Sequence, residues 1–176
     1  MYPKDVKDLN TFLFELQKET DRGLPLVAAA LIDEKLLQTL DSFFTNKKSS
    51  NKLLSDGNAP LGTFSARIEM SYALGLIDKH EYSEAQLIRK IRNKFAHEKH
   101  GLNFKNQKII ELCNNFKADL PECSGYPLKD ARFVFINAVV SLVLRFYYRP
   151  LYVEKERREH KQWIKDEDSG WRSFDD

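Results

Sequence analysis

"LPLVAAALIDEKLLQTLDSFF", residues 24 to 44, is the stretch on which the fold class turns. Apolar residues recur through about six helical turns without strand-like alternation, over a length that strands rarely reach. This is a helix buried on most of its circumference, and it needs other helices around it. Its alanines allow those neighbours to come close. Gly23 and Pro25 break the chain ahead of it. Asp33 and Glu34 fall inside the apolar stretch. They form either its solvent face or a carboxylate pair turned toward a basic neighbour.

The helical period continues on both sides. Leu9, Phe12, Leu13 and Leu16 predict a first helix over about 5–20. "NKKSSNKLLSDGNAPLG", 46 to 62, is rich in turn formers and reads as a solvated loop. A third helix follows over about 63–74, with Phe64, Ile68, Tyr72 and Ala73 as candidate core positions and Gly75 as its left-handed cap. The fourth helix has two candidate starts, Asp78 with Glu81 and Ser83 with Gln86, both fitting a capping box. Leu87, Ile88, Ile91 and Phe95 form its apolar stripe, and Gly101 stops it. A fifth helix is expected over about 106–117, carrying Ile109, Ile110, Leu112 and Phe116. A sixth starts near Pro127 or Lys129 and runs to about 148, where Pro150 kinks or ends it. The expected fold is all-α, a single-domain bundle of five or six helices over 1–150. A charged extension over 151–176 carries the aromatics Trp163, Trp171 and Phe174.

Composition sets bounds on function. The chain has 176 residues, 42% hydrophobic and 31% charged, which is globular rather than disordered. A net charge of +2 does not by itself argue for nucleic acid, so a basic patch has to come from local arrangement. Cys113 and Cys123 read as reduced thiols. "MYPKDVKDLN" carries no apolar signal core, and "FVFINAVVSLVLRFYY", 133 to 148, is short and polar-interrupted for a membrane span. These features point to a cytoplasmic protein with no membrane partner. No phosphate-binding or dinucleotide glycine loop is present, and His80, His97, His100 and His160 have no recognised metal spacing. No metal and no cofactor are expected.

"IRNKFAHEKHG", 91 to 101, carries the reactive residue types. With Ile91 at the centre of the buried face, Arg89 and Asn93 lie on the opposite side. Arg92 and His97 fall at opposite edges of the polar face, about 140° apart. An arginine fork for phosphate and a histidine that trades protons near neutrality are the parts of a metal-independent ribonuclease. Arg92 and His97 need a ligand or a second subunit to act together. The plain reading is a helix surface with His97 favoured by the carbonyl end of the helix. "SDGNAPLGTFSAR" offers a second cluster. Asp56, Gly57 and Arg67 are candidates to bind an anion or partner, with a turn and a helix surface as the simpler reading. Arg67 beside Asp33 and Glu34 is a third possibility.

The stretch 56–97 resembles the mannitol operon repressor (MltR) family. The resemblance rests on Asp56-Gly57, Pro60-Leu61-Gly62, Ser65, Arg67, Tyr72, "LGLI" at 74–77, Glu81-Tyr82 and the Arg92-to-His97 spacing. It implies an all-helical cytoplasmic regulator without an evident DNA-reading element, and no helix-turn-helix pair is visible here. Regulation through a protein partner, by a homodimer, is the function it implies. Asn93 and Phe95-Ala96 also resemble the HEPN superfamily, whose ribonucleases carry an Arg-polar-x3-His motif matching Arg92, Asn93 and His97. That resemblance implies RNA as the alternative substrate.

Overall fold

The computed structural model describes residues 3–98, 100–118, 127 and 129–160. Cys123, Trp163, Trp171 and Phe174 lie outside them. The described residues form eight helices in the order α1 (Pro3–Lys18), α2 (Gly23–Phe43), α3 (Lys47–Leu54), α4 (Phe64–Ala73), α5 (Lys79–His97), α6 (Gln107–Cys113), α7 (Ala131–Tyr147) and α8 (Arg149–Lys155). The fold is all-α, and the six expected helices are all present.

The opening stretch is the hub. α2 packs against α1, α3, α4, α5, α7 and α8. Leu24, Ala28, Ala29, Ile32, Leu36 and Leu40 are buried along it, and the two small alanines let neighbouring backbones close in. α7 buries Val134, Phe135, Ala138, Val139, Leu142, Val143 and Phe146. Ala131–Lys155 is long and apolar enough to cross a membrane by length and composition alone. In this fold one face of it packs into the core shared with α2 and α5, while Leu144, Leu151 and Tyr152 stay exposed.

Two short helices are additional to the sequence reading. α3 lies in the expected loop 46–62. Asn46, read there as a turn former, is instead its N-cap and accepts the Ser49 N–H. Asp41 of α2 then holds it down, accepting from Lys47 Nζ at 2.6 Å and from the Ser50 hydroxyl. Burial alone would raise the Asp41 carboxyl. The hydrogen bonds from Lys47 and Ser50 outweigh burial and bring it below the usual carboxylate range. α8 begins just past the end of α7. Pro150 lies in its first turn, where a missing N–H costs nothing, and Val153 is buried. The helical body therefore continues across residue 150.

Some core assignments shift by a position. In α4, Phe64 and Ile68 are buried as expected. Tyr72 and Ala73 are exposed, and Ser71 and Arg67 are buried in their place. Tyr72 instead stacks on Tyr82, ring centroids 4.4 Å apart. In α5, Ile88, Ile91 and Phe95 are buried, whereas Leu87 is half-exposed and Glu84 is inside. α6 is shorter than read, ending at Cys113, and α7 starts at Ala131, capped by Asp130.

Candidate functional site

α5 owes its position to its first turn. Asp78 accepts the Glu81 N–H and Glu81 returns the favour to the Asp78 N–H, the full capping box. The rival start is excluded: Ser83 lies inside the helix, with its hydroxyl on the Lys79 carbonyl. Glu81 is also buried, and its other oxygen accepts from Arg149 of α8, which donates as well to the Leu76 carbonyl. Thus the start of α5 is fixed from two sides, and its outer face is aimed by the rest of the bundle.

That outer face carries the cations. Arg89, Lys90, Asn93, Lys94 and His97 line an open groove of about 710 Å³, together with Glu98 and Leu112 of α6. Lys90, Lys94 and His97 are exposed. Among the described lining residues Glu98 is the one carboxylate and Leu112 the one apolar side chain. Arg89 and Lys90 also line a shallower depression with Glu69, Tyr82, Ser83, Gln86 and Leu87. There a chain of hydrogen bonds sets the arginine: Arg89 donates to Gln86, and Gln86 and Tyr82 both donate to Glu69.

Arg92 points elsewhere. It is half-buried and donates to Asn93 Oδ1 at 2.9 Å, and its charge is felt by Asp33 of α2. Arg92 is not among the groove residues described. Asn93 and His97 share the groove, and Arg92 touches it only through Asn93. Helical geometry anticipated this divergence.

Arg67 lies away from the groove, at the root of the 54–61 loop. Its Nε donates to the Leu61 carbonyl at 2.9 Å, one Nη to the Leu54 carbonyl at 3.1 Å, and the other to Asp33 at 2.8 Å. It is therefore the internal clamp of the loop that carries Asp56 and Gly57. Both of those are exposed, and the Asp56 carbonyl accepts the Ala59 N–H in a turn. Of the two acids weighed together, Asp33 takes the arginine, whereas Glu34 is exposed and accepts from Gln38. Burial pushes the Asp33 carboxyl above its ordinary range, against the opposing pull of Arg67 and the charge of Arg92.

Sequence reasoning named Arg89, Asn93 and His97 but not Lys90 or Lys94. The signal was present: two interleaved i, i+4 rows, Arg89-Asn93-His97 and Lys90-Lys94, on one helix face. The contribution of Leu112, from another helix, had no such signal. Among the described residues no three His, Cys, Asp or Glu side chains gather to hold a metal ion.

The class these features define is an all-helical bundle with a cationic groove on the outside of one helix. The chain belongs to the mannitol repressor family, MtlR, whose family model matches residues 13–125. It is 35% identical over 57 residues to the mannitol operon repressor of Escherichia coli K12, and equally to that of Escherichia coli O6:H1 (strain CFT073). Those 57 residues are 32% of this chain and 29% of each relative, so the match spans under a third of the curated relatives. The fold is similar, with a TM-score of 0.63, to a chain in the X-ray structure of the MtlR–HPr complex from Escherichia coli. That likeness covers 78% of this chain and 97% of that one at 22% identity.

Proposed function

We propose that this protein is a cytoplasmic regulator of transcription that works by docking a partner protein, and that the α5–α6 groove is the docking surface. The observation that carries this is the groove itself. Arg89, Lys90, Lys94 and His97 line it together with Leu112, on the outer face of α5. Membership of a repressor family supports the regulatory role. A structural relative solved together with HPr makes HPr the first partner to test. Calorimetric titration with HPr is expected to give a complex. Lys90→Glu with Lys94→Glu is expected to weaken it by about tenfold or more, or about 1.4 kcal/mol. Equal binding by the variant would remove the groove from the proposal. A gel-shift titration with DNA at low salt should stay flat, because binding through phosphates alone would already show there.

The protein is further proposed to be a homodimer. Leu144, Leu151 and Tyr152, exposed on α7 and α8, are the apolar surface for a second copy. A monomeric mass by light scattering at micromolar concentration would count against it.

The Arg92–Asn93 hydrogen bond is the one observation that favours the ribonuclease reading. That reading requires cleavage of mixed RNA in EDTA that His97→Ala abolishes. With Arg92 turned from the groove that holds His97, no cleavage above a buffer control is expected.

A further inference from the structure

We infer that residues 166–176 of this chain, "DEDSGWRSFDD", dock into the α5–α6 groove. Charge is the first argument. The segment carries Asp166, Glu167, Asp168, Asp175 and Asp176 against Arg172 alone, a net of −4, in a chain whose total is +2. The groove presents Arg89, Lys90 and Lys94, and His97 beside them, against one carboxylate, Glu98, among the described lining residues. Opposite potentials of this kind set which surfaces meet and in what register.

Apolar character is the second argument. The acids bracket Trp171 and Phe174, and Leu112 adds an apolar side chain to the lining of the cationic groove. Aromatic anchors flanked by charge fit a groove lined by cations with an apolar side chain among them. Arginine and lysine heads also attract ring faces, so the same cations serve carboxylates and rings.

Reach is the third. The described chain ends at His160, whose Nε2 lies 3.3 Å from Thr45 Oγ1 just beyond α2. Arg92 acts on Asp33, which is twelve residues back along α2 from Thr45, roughly 18 Å at the helical rise. The sixteen residues from 161 to 176 extend to roughly 50 Å, ample for that distance and the width of a helix. Tethering supplies an effective concentration in the millimolar range, so a weak contact suffices to keep the groove occupied. An outside acidic protein has no such advantage and has to displace the segment. That regulatory consequence rests on the groove being the partner surface; the docking itself does not.

The chain provides its own reporter, because Trp163 and Trp171 are its only tryptophans and both lie in 161–176. Tryptophan emission and acrylamide quenching are measured on the full chain, with no partner present. At low salt the emission should lie to the blue of the urea-unfolded chain, with weaker quenching. Raising salt to about 1 M shortens the screening length to about 3 Å and should move both toward the unfolded values. Lys90→Glu with Lys94→Glu should do the same at low salt, with far-UV circular dichroism confirming the bundle. Unfolded-like emission at low salt in the unmodified chain overturns the proposal. So does a blue-shifted emission that fails to respond to salt or to the charge reversals. Because HPr is absent, failure here is separate from failure of the partner reading.

Discussion

Arg67 gathers acceptors from three separate places in the chain, the Leu54 and Leu61 carbonyls and the Asp33 carboxylate. Its side chain is 11% exposed and that of Asp33 is 27% exposed. Removing the arginine leaves a half-buried carboxylate without its cation, which costs less than the about 3–5 kcal/mol of a fully buried pair because the Asp33 side chain is 27% exposed. Arg67→Ala should therefore lower the urea midpoint sharply at pH 7. The pH dependence has a definite sign. A carboxyl raised above its ordinary value of 3.8 binds its proton more tightly folded than unfolded, so stability falls as pH rises through that window. Without Arg67 the carboxyl rises further, so the deficit of the variant should shrink toward pH 4. A deficit that does not vary with pH would mean that only the loop carbonyls mattered. Cys113 gives a second test at this scale. Burial first, and the charge of Asp130 second, push its thiol up to about 12. In a Cys123→Ser background it should resist thiol reagents at pH 8 until the protein unfolds, since the thiolate is the reactive form. Sequence reading weighed Arg67 beside Asp33 but could not choose it over a surface role. The partners stand 34 positions apart, and no local period encodes that distance.

The ends of helices were the most legible elements, because their chemistry is local. Gly75 ends α4 at φ +70°, with its N–H on the Tyr72 carbonyl and the Leu76 N–H on the Ser71 carbonyl. A Cβ there meets nothing within 4 Å, so Gly75→Ala pays only for the left-handed backbone. About 1–2 kcal/mol of lost stability is expected by denaturant unfolding. A larger loss would show that something packs against the glycine after all. The Asp78 and Glu81 cap was readable for the same reason, as one of two adjacent boxes. Arg149, which completes that turn from α8, was not, being 68 positions from Glu81. α3 was missed because Asn and Ser serve turns and N-caps alike, and only the contact with Asp41 decides between them. Tyr72 and Leu87 failed for a related reason. On helices with few apolar residues the buried arc is set by the neighbours, and Ser71 of α4 and Glu84 of α5 took the inside.

At the scale of the molecule, α2 carries a large core along most of its length and a smaller one at its far end. The smaller core contains Leu40, Leu54, Leu61, Leu76 and Val153, drawn from α2, α3, the 55–63 loop, the α4–α5 turn and α8. α8 is thus a structural member, although residues 151–176 read as a charged extension of the bundle. Val153 closes the small core, and Arg149 neutralises Glu81, which is 1% exposed. This predicts an asymmetric response to shortening. A chain ending after His160 keeps both features and should melt within a few degrees of the full chain. A chain ending after Tyr148 loses both. Breaking the Glu81 pair costs less than the about 3–5 kcal/mol of a fully buried one, because the Arg149 side chain is 27% exposed. The vacated Val153 site adds its own transfer and cavity terms, and one kcal/mol displaces the midpoint of a chain this size by about 2–4 °C. The shorter chain should therefore melt on the order of 10 °C lower. Hydrogen exchange should localise the loss to α3 and the α4–α5 turn while α2 and α7 keep their protection, since the large core is untouched. Equal melting of the two truncations would place the end of the folded body before α8 and leave Glu81 to be satisfied by its own cap.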